Sequence, residues 1–245
     1  MISLFITYRL KGRLDGLLAL PPDWGQRLPQ VQGLRKVLLH QPGRVDDPFL
    51  SHEPEPPAEY VLQFYFDELF SLEAACARQA GLSGLLSGLE ASLGPVQAKS
   101  QQAMVVRAVP VAGQAPDAGG GADSAVCTYL VAYYGSGQDH DQWLSDYMAS
   151  HVPLMGRMPG VRQVEIYTRL DWLSGLDLPK GSAIQRNKVV FDSVAGLQAA
   201  LQSPIRAEMR ADYLSLPQIG QTNTHEAMRT DCVFGGARPL AGKPG

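Results

Sequence analysis

Apolar residues along this chain fall into short blocks of two kinds, one repeating every second position and one every third or fourth. In the second half, residues 126–134 (Val-Cys-Thr-Tyr-Leu-Val-Ala-Tyr-Tyr) are β-branched and aromatic and predict a buried strand. A helix is predicted over 139–155, with Asp139 or Asp141 as its N-cap, and Pro159-Gly160 ends that unit. Residues 161–168 alternate as a second strand, 171–181 read as a loop, and 183–191 as a third strand. Asp192 or Ser193 caps a second helix to about residue 201, a helical stretch follows Ser203-Pro204 as far as Tyr213, and 226–234 supplies the last strand. The first half follows the same order, with strands near 2–9, 33–40, 60–67 and 101–109 and its second helix over 69–89. Its segment 11–30 contains Pro21-Pro22 and Gly25, which would break a long helix. Each half therefore reads β-α-β-β-α-β, the ferredoxin-like motif.

The two halves also share words. Residues 63–75 (Gln-Phe-Tyr-Phe-Asp-Glu-Leu-Phe-Ser-Leu-Glu-Ala-Ala) return as 188–200 (Lys-Val-Val-Phe-Asp-Ser-Val-Ala-Gly-Leu-Gln-Ala-Ala), an offset of 125. Residues 32–40 echo 159–167 at an offset of 127, and Ala103-Met104 answers to Ala227-Met228 at 124. Three matches in one order predict a duplicated unit of about 110 residues, which is domain-sized. The boundaries that follow are a first repeat over 1–110, a linker over 111–124 rich in Gly, Ala and Pro, a second repeat over 125–234, and a flexible tail over 235–245.

A four-stranded sheet with both helices on one face leaves its other face uncovered. Phe5, Val37, Phe64, Tyr129, Val164 and Val190 are too apolar to leave both faces wet. Two such sheets can bury those faces against each other, and the second copy supplies the partner in cis. The predicted fold class is α+β, two ferredoxin-like repeats forming an intramolecular dimeric α/β-barrel.

Composition narrows the function classes. The chain has 245 residues, 45% hydrophobic and 18% charged, and is ordinary for a globular protein with ample core material. A formal net charge of −3 gives no basic footprint for nucleic acid or an anionic membrane. Three cysteines, Cys76, Cys127 and Cys232, lack paired spacing, so neither a disulfide framework nor a zinc site is expected. The start reads as a strand rather than a signal peptide, and no apolar run approaches the roughly 20 residues of a membrane span, so a cytoplasmic location is expected.

Only the second half carries a pattern that suggests chemistry. Asp139, Trp143, Tyr147 and His151 stand at four-residue steps, on one slowly drifting helical face, with Leu144 and Met148 beside it. An acid, two aromatics with polar handles and an imidazole can grip a flat organic molecule and offer hydrogen bonds at its edge. Val152-Pro153 follows His151, so the helix is expected to kink or end there, which would leave the imidazole near a helix C-terminus that favours its charged form. A bland reading stands beside this one: Trp143 and Tyr147 pack the helix on the sheet, His151 donates to a backbone carbonyl, and Asp139 is a cap.

These residues resemble the EthD family, named for ethyl tert-butyl ether degradation, a branch of the dimeric α/β-barrel superfamily. The resemblance rests on Tyr147-Met-Ala-Ser-His-Val-Pro-Leu154, Met158-Pro-Gly-Val161, Phe191-Asp-Ser-Val194, Leu201-Gln-Ser-Pro204 and Asp212. It covers most of 125–234, whereas the first half keeps only Gly33, Phe66-Asp67 and the 72–75 stretch and has no His-x-Pro in the segment 11–30 that follows its first strand. What the resemblance implies is a pocket between helices and sheet that binds a small aromatic or lactone-like molecule. It implies His151 as general acid or base, Trp143 and Tyr147 shaping the pocket, Tyr134 or Tyr167 as further hydrogen-bond donors, and no metal or organic cofactor. The partner expected is thus a small hydrophobic molecule, not nucleic acid or membrane, with the chain a monomeric pseudo-dimer or a homodimer.

The remaining candidates read more plainly. His40 is expected at an exposed strand end, His52 in a solvated proline-rich loop, and His140 at the surface. His225, just before the last strand, could reach a neighbouring pocket. Asp139, His140 and Asp141 are consecutive and diverge, so with His151 they make no convincing metal set. Gly119-Gly-Gly121 lacks the Lys-Ser/Thr of a phosphate loop, and Cys127 and Cys232 read as inert thiols. Two functions stay open: an isomerase, cyclase or oxygenase auxiliary working by acid/base chemistry, and a non-catalytic binding, carrier or structural interaction module.

Overall fold

A computed structural model describes residues 1–50, 58–114, 125–135 and 140–235. The first half runs β1 (Ile2–Leu10), α1 (Trp24–Arg27) with a following 3-10 turn, β2 (Leu34–Pro42), β3 (Ala58–Phe66), α2 (Leu69–Ala75), α3 (Gly81–Glu90) and β4 (Val96–Val109). The second half runs β5 (Val126–Tyr134), α4 (His140–Asp146), a π turn (Tyr147–His151), α5 (Val152–Gly156), β6 (Val161–Arg169), β7 (Gln185–Phe191), α6 (Val194–Leu201), α7 (Pro204–Ser215) and β8 (Thr222–Phe234). The eight strands close into one antiparallel barrel in the order β1-β3-β2-β8-β5-β7-β6-β4. Each half contributes a sheet ordered 4-1-3-2, and the seams are β2 with β8 and β4 with β6. The expected α+β dimeric α/β-barrel is the fold. Residues 115–124 of the expected linker and 236–245 of the expected tail lie outside the described residues.

Strand alternation sorts side chains between two environments. On β1, Leu4, Ile6, Tyr8 and Leu10 face the helices of the first half, in a core with Trp24, Leu72 and Leu82. On β5, Cys127, Tyr129, Val131 and Tyr133 face the helices of the second half. The helix expected over 69–89 is instead two helices, α2 and α3, parted by a turn with Gln79 at φ 64°. The 171–181 loop seats on that break: Gly175 N–H donates to the Cys76 carbonyl at 2.8 Å, and a side chain at Gly175 would strike the Arg78 backbone.

The barrel interior differs from expectation. Of the six apolar strand residues named above, Val37, Phe64, Tyr129 and Val164 face the helices, not the opposite sheet. A small apolar cluster of Phe5, Val61, Met104, Leu130, Tyr167 and Met228 shares the interior with a polar network. Lys188 Nζ lies 2.7 Å from Glu165 Oε2 and donates to the Tyr65 hydroxyl at 2.6 Å. Tyr65 and Tyr167 both donate to Glu165, and Gln63 Nε2 donates to the Tyr167 hydroxyl at 2.8 Å and to Ser3 Oγ at 2.9 Å. His40 sits between Gln63 Oε1 (3.0 Å) and the Thr230 hydroxyl (2.8 Å), which in turn reaches Thr128. His40 is therefore wholly buried inside the barrel, not exposed at a strand end.

Burial sets the charges here. Desolvation, with Lys188 nearby, pushes the His40 imidazole down to about 3, so it is neutral at ordinary pH. Desolvation also works against charge on Glu165, but Lys188, Lys36 and the hydrogen bonds from Lys188 and Tyr167 together outweigh it and hold the carboxyl well below the usual range. Lys188 is brought down to about 8 by burial, with Glu165 opposing the fall.

Two stability tests follow. Lys188→Met leaves Glu165 buried without its cation and should cost about 3–5 kcal/mol in urea unfolding, most of it regained in Lys188→Met/Glu165→Leu. A single variant as stable as the parent would show that the pair is not needed. His40 has a folded pKa below its unfolded 6.5, so its contribution is complete above pH 6.5 and is lost on acidification toward about 3. The slope is about 1.4 kcal/mol per pH unit in that window. His40→Asn should flatten the acid-side stability profile between about pH 6 and 4, and an unchanged slope would contradict a buried neutral His40.

Candidate functional site

The helical face of the second half carries the rings expected from the four-residue steps. His140 stacks on Trp143 (6.3 Å between centroids), Trp143 on Tyr147 (5.0 Å), and Tyr147 lies 4.7 Å from His151. Asp139, the first member of the expected stripe, and His52 lie outside the described residues. His140 is half-buried by its stacking rather than a surface residue.

The helix does not end at His151. Pro153 has no N–H and its ring would crowd the carbonyl four residues back. The helix widens instead: the Val152 N–H donates to the Tyr147 carbonyl, five residues back, and α5 continues to Gly156. His151 therefore sits mid-helix, and the expected influence of a C-terminus on its charge is absent.

Two strands hold this face. The Tyr133 ring of β5 lies 5.4 Å from both Trp143 and Tyr147. The Tyr147 hydroxyl donates to Tyr133 at 3.2 Å and accepts from Asn187 Nδ2 of β7 at 2.5 Å. Trp143 and Tyr147 are fully buried behind this lattice. They anchor the helix and do not themselves line the cavity described next.

His151, 5% exposed, places Nδ1 2.8 Å from Asp212 Oδ2 on α7. Desolvation lowers the pKa of the imidazole, Asp212 opposes that fall, and Arg206 reinforces it. The neutral ring donates from Nδ1 to Asp212, which leaves the Nε2 lone pair available. Among the described residues Nε2 makes no hydrogen bond. His151 lines a cavity of about 30 Å³, together with His225, Tyr133, Arg206, Met155 and Met209 among others. That is room for one or two waters.

The first half reaches into the same place. Asp47, in the loop after β2, is 2% exposed and accepts from Arg206 (2.9 and 3.1 Å) and from the Tyr129 hydroxyl (2.8 Å). Burial works against its charge, but Arg206 and these hydrogen bonds hold its carboxyl below the usual range. His225 lies 5.5 Å from the Tyr129 ring, and desolvation pushes it down to about 4. The reading of His225 as a pocket residue thus agrees with its position.

Tyr134 and Tyr167 are not part of this site. Tyr134 follows Tyr133 on β5, so alternation turns it to the barrel interior, where it lines an opening with Arg9 and Arg186. Tyr167 lies inside the barrel, bound to Glu165 and Gln63 and edge-on to Phe5. Tyr133, Asn187, Asp47 and Arg206 had no place in the sequence reading. Only Tyr133 left a signal there, because it shares strand parity with the apolar Tyr129 and Val131. Cys127 is buried with its thiol pushed up to about 11 and Cys76 up to about 12, both by desolvation, as expected of unreactive thiols. Cys232 is only half-buried, its thiol donating to the Phe234 carbonyl and also shifted upward by desolvation.

The His151 assignment predicts a titration. By NMR of the ring protons, His151 should titrate below 6.5, and Asp212→Asn should lower it further by removing the one group that opposes desolvation. A value above 6.5, or an upward move in Asp212→Asn, would contradict this geometry.

No protein family profile matches the chain, and no curated protein matches it. Solved structures do. An anthrone oxidase-like protein superposes with a TM-score of 0.58 at 11% identity, over 97% of this chain and 96% of that one. A protein assigned as a candidate monooxygenase of Fusobacterium nucleatum gives 0.50 at 10% identity, over 96% of each chain. An EthD family protein of Bacillus halodurans gives 0.32 at 19% identity over 40% of this chain and 95% of its own, a score too low to add to the assignment. Among the described residues no helix is long and apolar enough to cross a membrane. At these identities the likeness establishes the fold: an eight-stranded α+β barrel of the dimeric α/β-barrel kind.

Proposed function

We propose that this chain is an EthD-like protein that takes up a small planar organic molecule, aromatic or lactone-like, between α5, α7 and the outer face of the second sheet. There His151 acts on it as a general base. The observation that carries this reading is the buried, neutral imidazole, held by Asp212 through Nδ1, with no hydrogen bond to Nε2 among the described residues and the side chain lining a cavity. Asp212 fixes the ring and stabilises the imidazolium that forms when Nε2 takes a proton. Stabilising a proton taken from an acidic carbon or phenol is the first step of isomerisation, cyclisation and of oxygenation by dioxygen alike. These side chains carry it without a metal or organic cofactor.

The cavity as it stands is too small for such a substrate. Met155, Met158 and Met209 line it, and their unbranched, flexible side chains give the wall that would move. We further propose that residues 1–110 are a diverged copy of 125–234, joined by 111–124. The shared sequence echoes and the matching 4-1-3-2 strand order of the two halves support that origin. The first copy then serves as the partner sheet and supplies Asp47.

The carrier reading keeps one observation in its favour. The polar handle of Tyr147 is spent on Tyr133 and Asn187, which leaves few groups for chemistry. One assay separates the two. With an anthrone in air, chosen because an anthrone oxidase-like protein shares the fold, quinone formation should be seen by absorbance with no added metal or flavin. His151→Ala should lower the rate about 10²-fold or more in protein that remains folded by circular dichroism. Binding without turnover in both proteins would favour the carrier. Unchanged turnover in His151→Ala would remove His151 from the chemistry.

A further inference from the structure

The opposite surface of the same sheet carries a second site of different chemistry. Inward-facing residues of β1, β3, β4, β5 and β7 meet the 180–182 loop at one mouth of the barrel, around a cavity of about 220 Å³. Four cations line it: Arg9, Lys99, Lys180 and Arg186. Two are already compensated, Arg9 by Glu59 at 2.9 Å and Lys99 by Glu90 at 3.0 Å. Lys180 is exposed, donates to the Trp172 carbonyl and lies 4.9 Å over the Trp172 ring. It has no carboxylate among the described residues.

Arg186 is the residue that marks a site. It is 4% exposed, yet among the described residues it makes no ion pair and no side-chain hydrogen bond. Its Nε is buried without a partner. Its guanidinium carbon lies 5.1 Å over the face of Phe5. Buried arginines are almost always paired, because removing the charge from water is expensive. Glu226, the other inward carboxyl near this end, is pushed up to about 7 by burial and by Glu59, with Arg9 and Arg13 opposing. Arg186 is not among the charges that act on it. Around the guanidinium stand groups that can donate further: the Tyr134 hydroxyl and the hydroxyls of Ser100 and Ser182.

We propose that this mouth binds a small oxyanion, a carboxylate or phosphate group, gripped by Arg186 and Lys180 with the Tyr134 hydroxyl in support. A guanidinium takes such a group through two parallel N–H bonds, and the low dielectric around a buried one strengthens the grip. The site lies across the sheet from His151 and stands whether or not His151 is a base.

The test is calorimetry and thermal melting of the full chain with sodium phosphate and, separately, sodium succinate, against sodium chloride at equal ionic strength. At least one of the two should bind saturably at one per chain and raise Tm by about 2–4 °C near five times Kd. A response to phosphate alone identifies a phosphate site, and a response to succinate alone a carboxylate site. Arg186→Gln should weaken the binding at least tenfold, and Lys180→Gln, at an exposed position, several-fold. Should Arg186→Gln fail to fold by circular dichroism, Lys180→Gln decides alone. No effect beyond chloride, or full affinity in the deciding variant, would overturn the proposal.

Discussion

Closing eight strands into a barrel takes most of their inner face out of water, and in this protein that face is half polar. Ser3, His40, Gln63, Tyr65, Thr128, Glu165, Lys188 and Thr230 must all find partners within the space enclosed. They do so across the two halves: Tyr65 of β3 meets Glu165 of β6 and Lys188 of β7, and His40 of β2 meets Thr230 of β8. An unpaired polar group in such a place is costly, so the register in which the halves meet is tightly constrained. Apolar faces alone would tolerate a slipped pairing, whereas this network does not.

The interior around this network is packed, and the His151 cavity lies on the other face of the sheet. Each strand presents one set of side chains to the network and the alternate set to the helices, so a single strand serves both. On β7, Lys188 completes the interior ion pair while Asn187 holds Tyr147 and Val189 lines the cavity. The rigid sheet thus becomes one wall of the His151 cavity. The other wall is α5 and α7, held apart from the sheet by methionines and joined to each other through His151 and Asp212. A stiff wall that positions and a soft wall that adapts is an arrangement suited to a flat ligand.

Most of the architecture was legible because strand periodicity, proline and glycine stops and the Ser193 cap each have a local cause. Ser193 indeed accepts from the Gly196 N–H. What local pattern could not reveal was which face of each strand points inward. Reading Phe5 and Phe64 as one face missed that their strands are antiparallel neighbours with opposed parity: Phe64 pairs with Leu4, and Phe5 with Gln63. The resemblance points to Tyr134, whereas alternation along β5 turns Tyr133 to the cavity side instead. At His151 the four-residue spacing brought the rings together, yet the π turn that lets the helix pass Pro153 has no sequence period of its own. Asp47 and Arg206 meet from positions 159 residues apart, which no motif spacing records.

The central claim is that a ligand enters from the helix side and leaves the barrel interior untouched. Carbon-13 labelling of the methionine methyls tests it directly, because the chain has reporters on both sides of the sheet. On titration with an anthrone, the methyl signals of Met155, Met158 and Met209 should shift together, while those of Met104 and Met228 inside the barrel stay in place. Shifts at Met104 and Met228 with the other three unmoved would contradict the account.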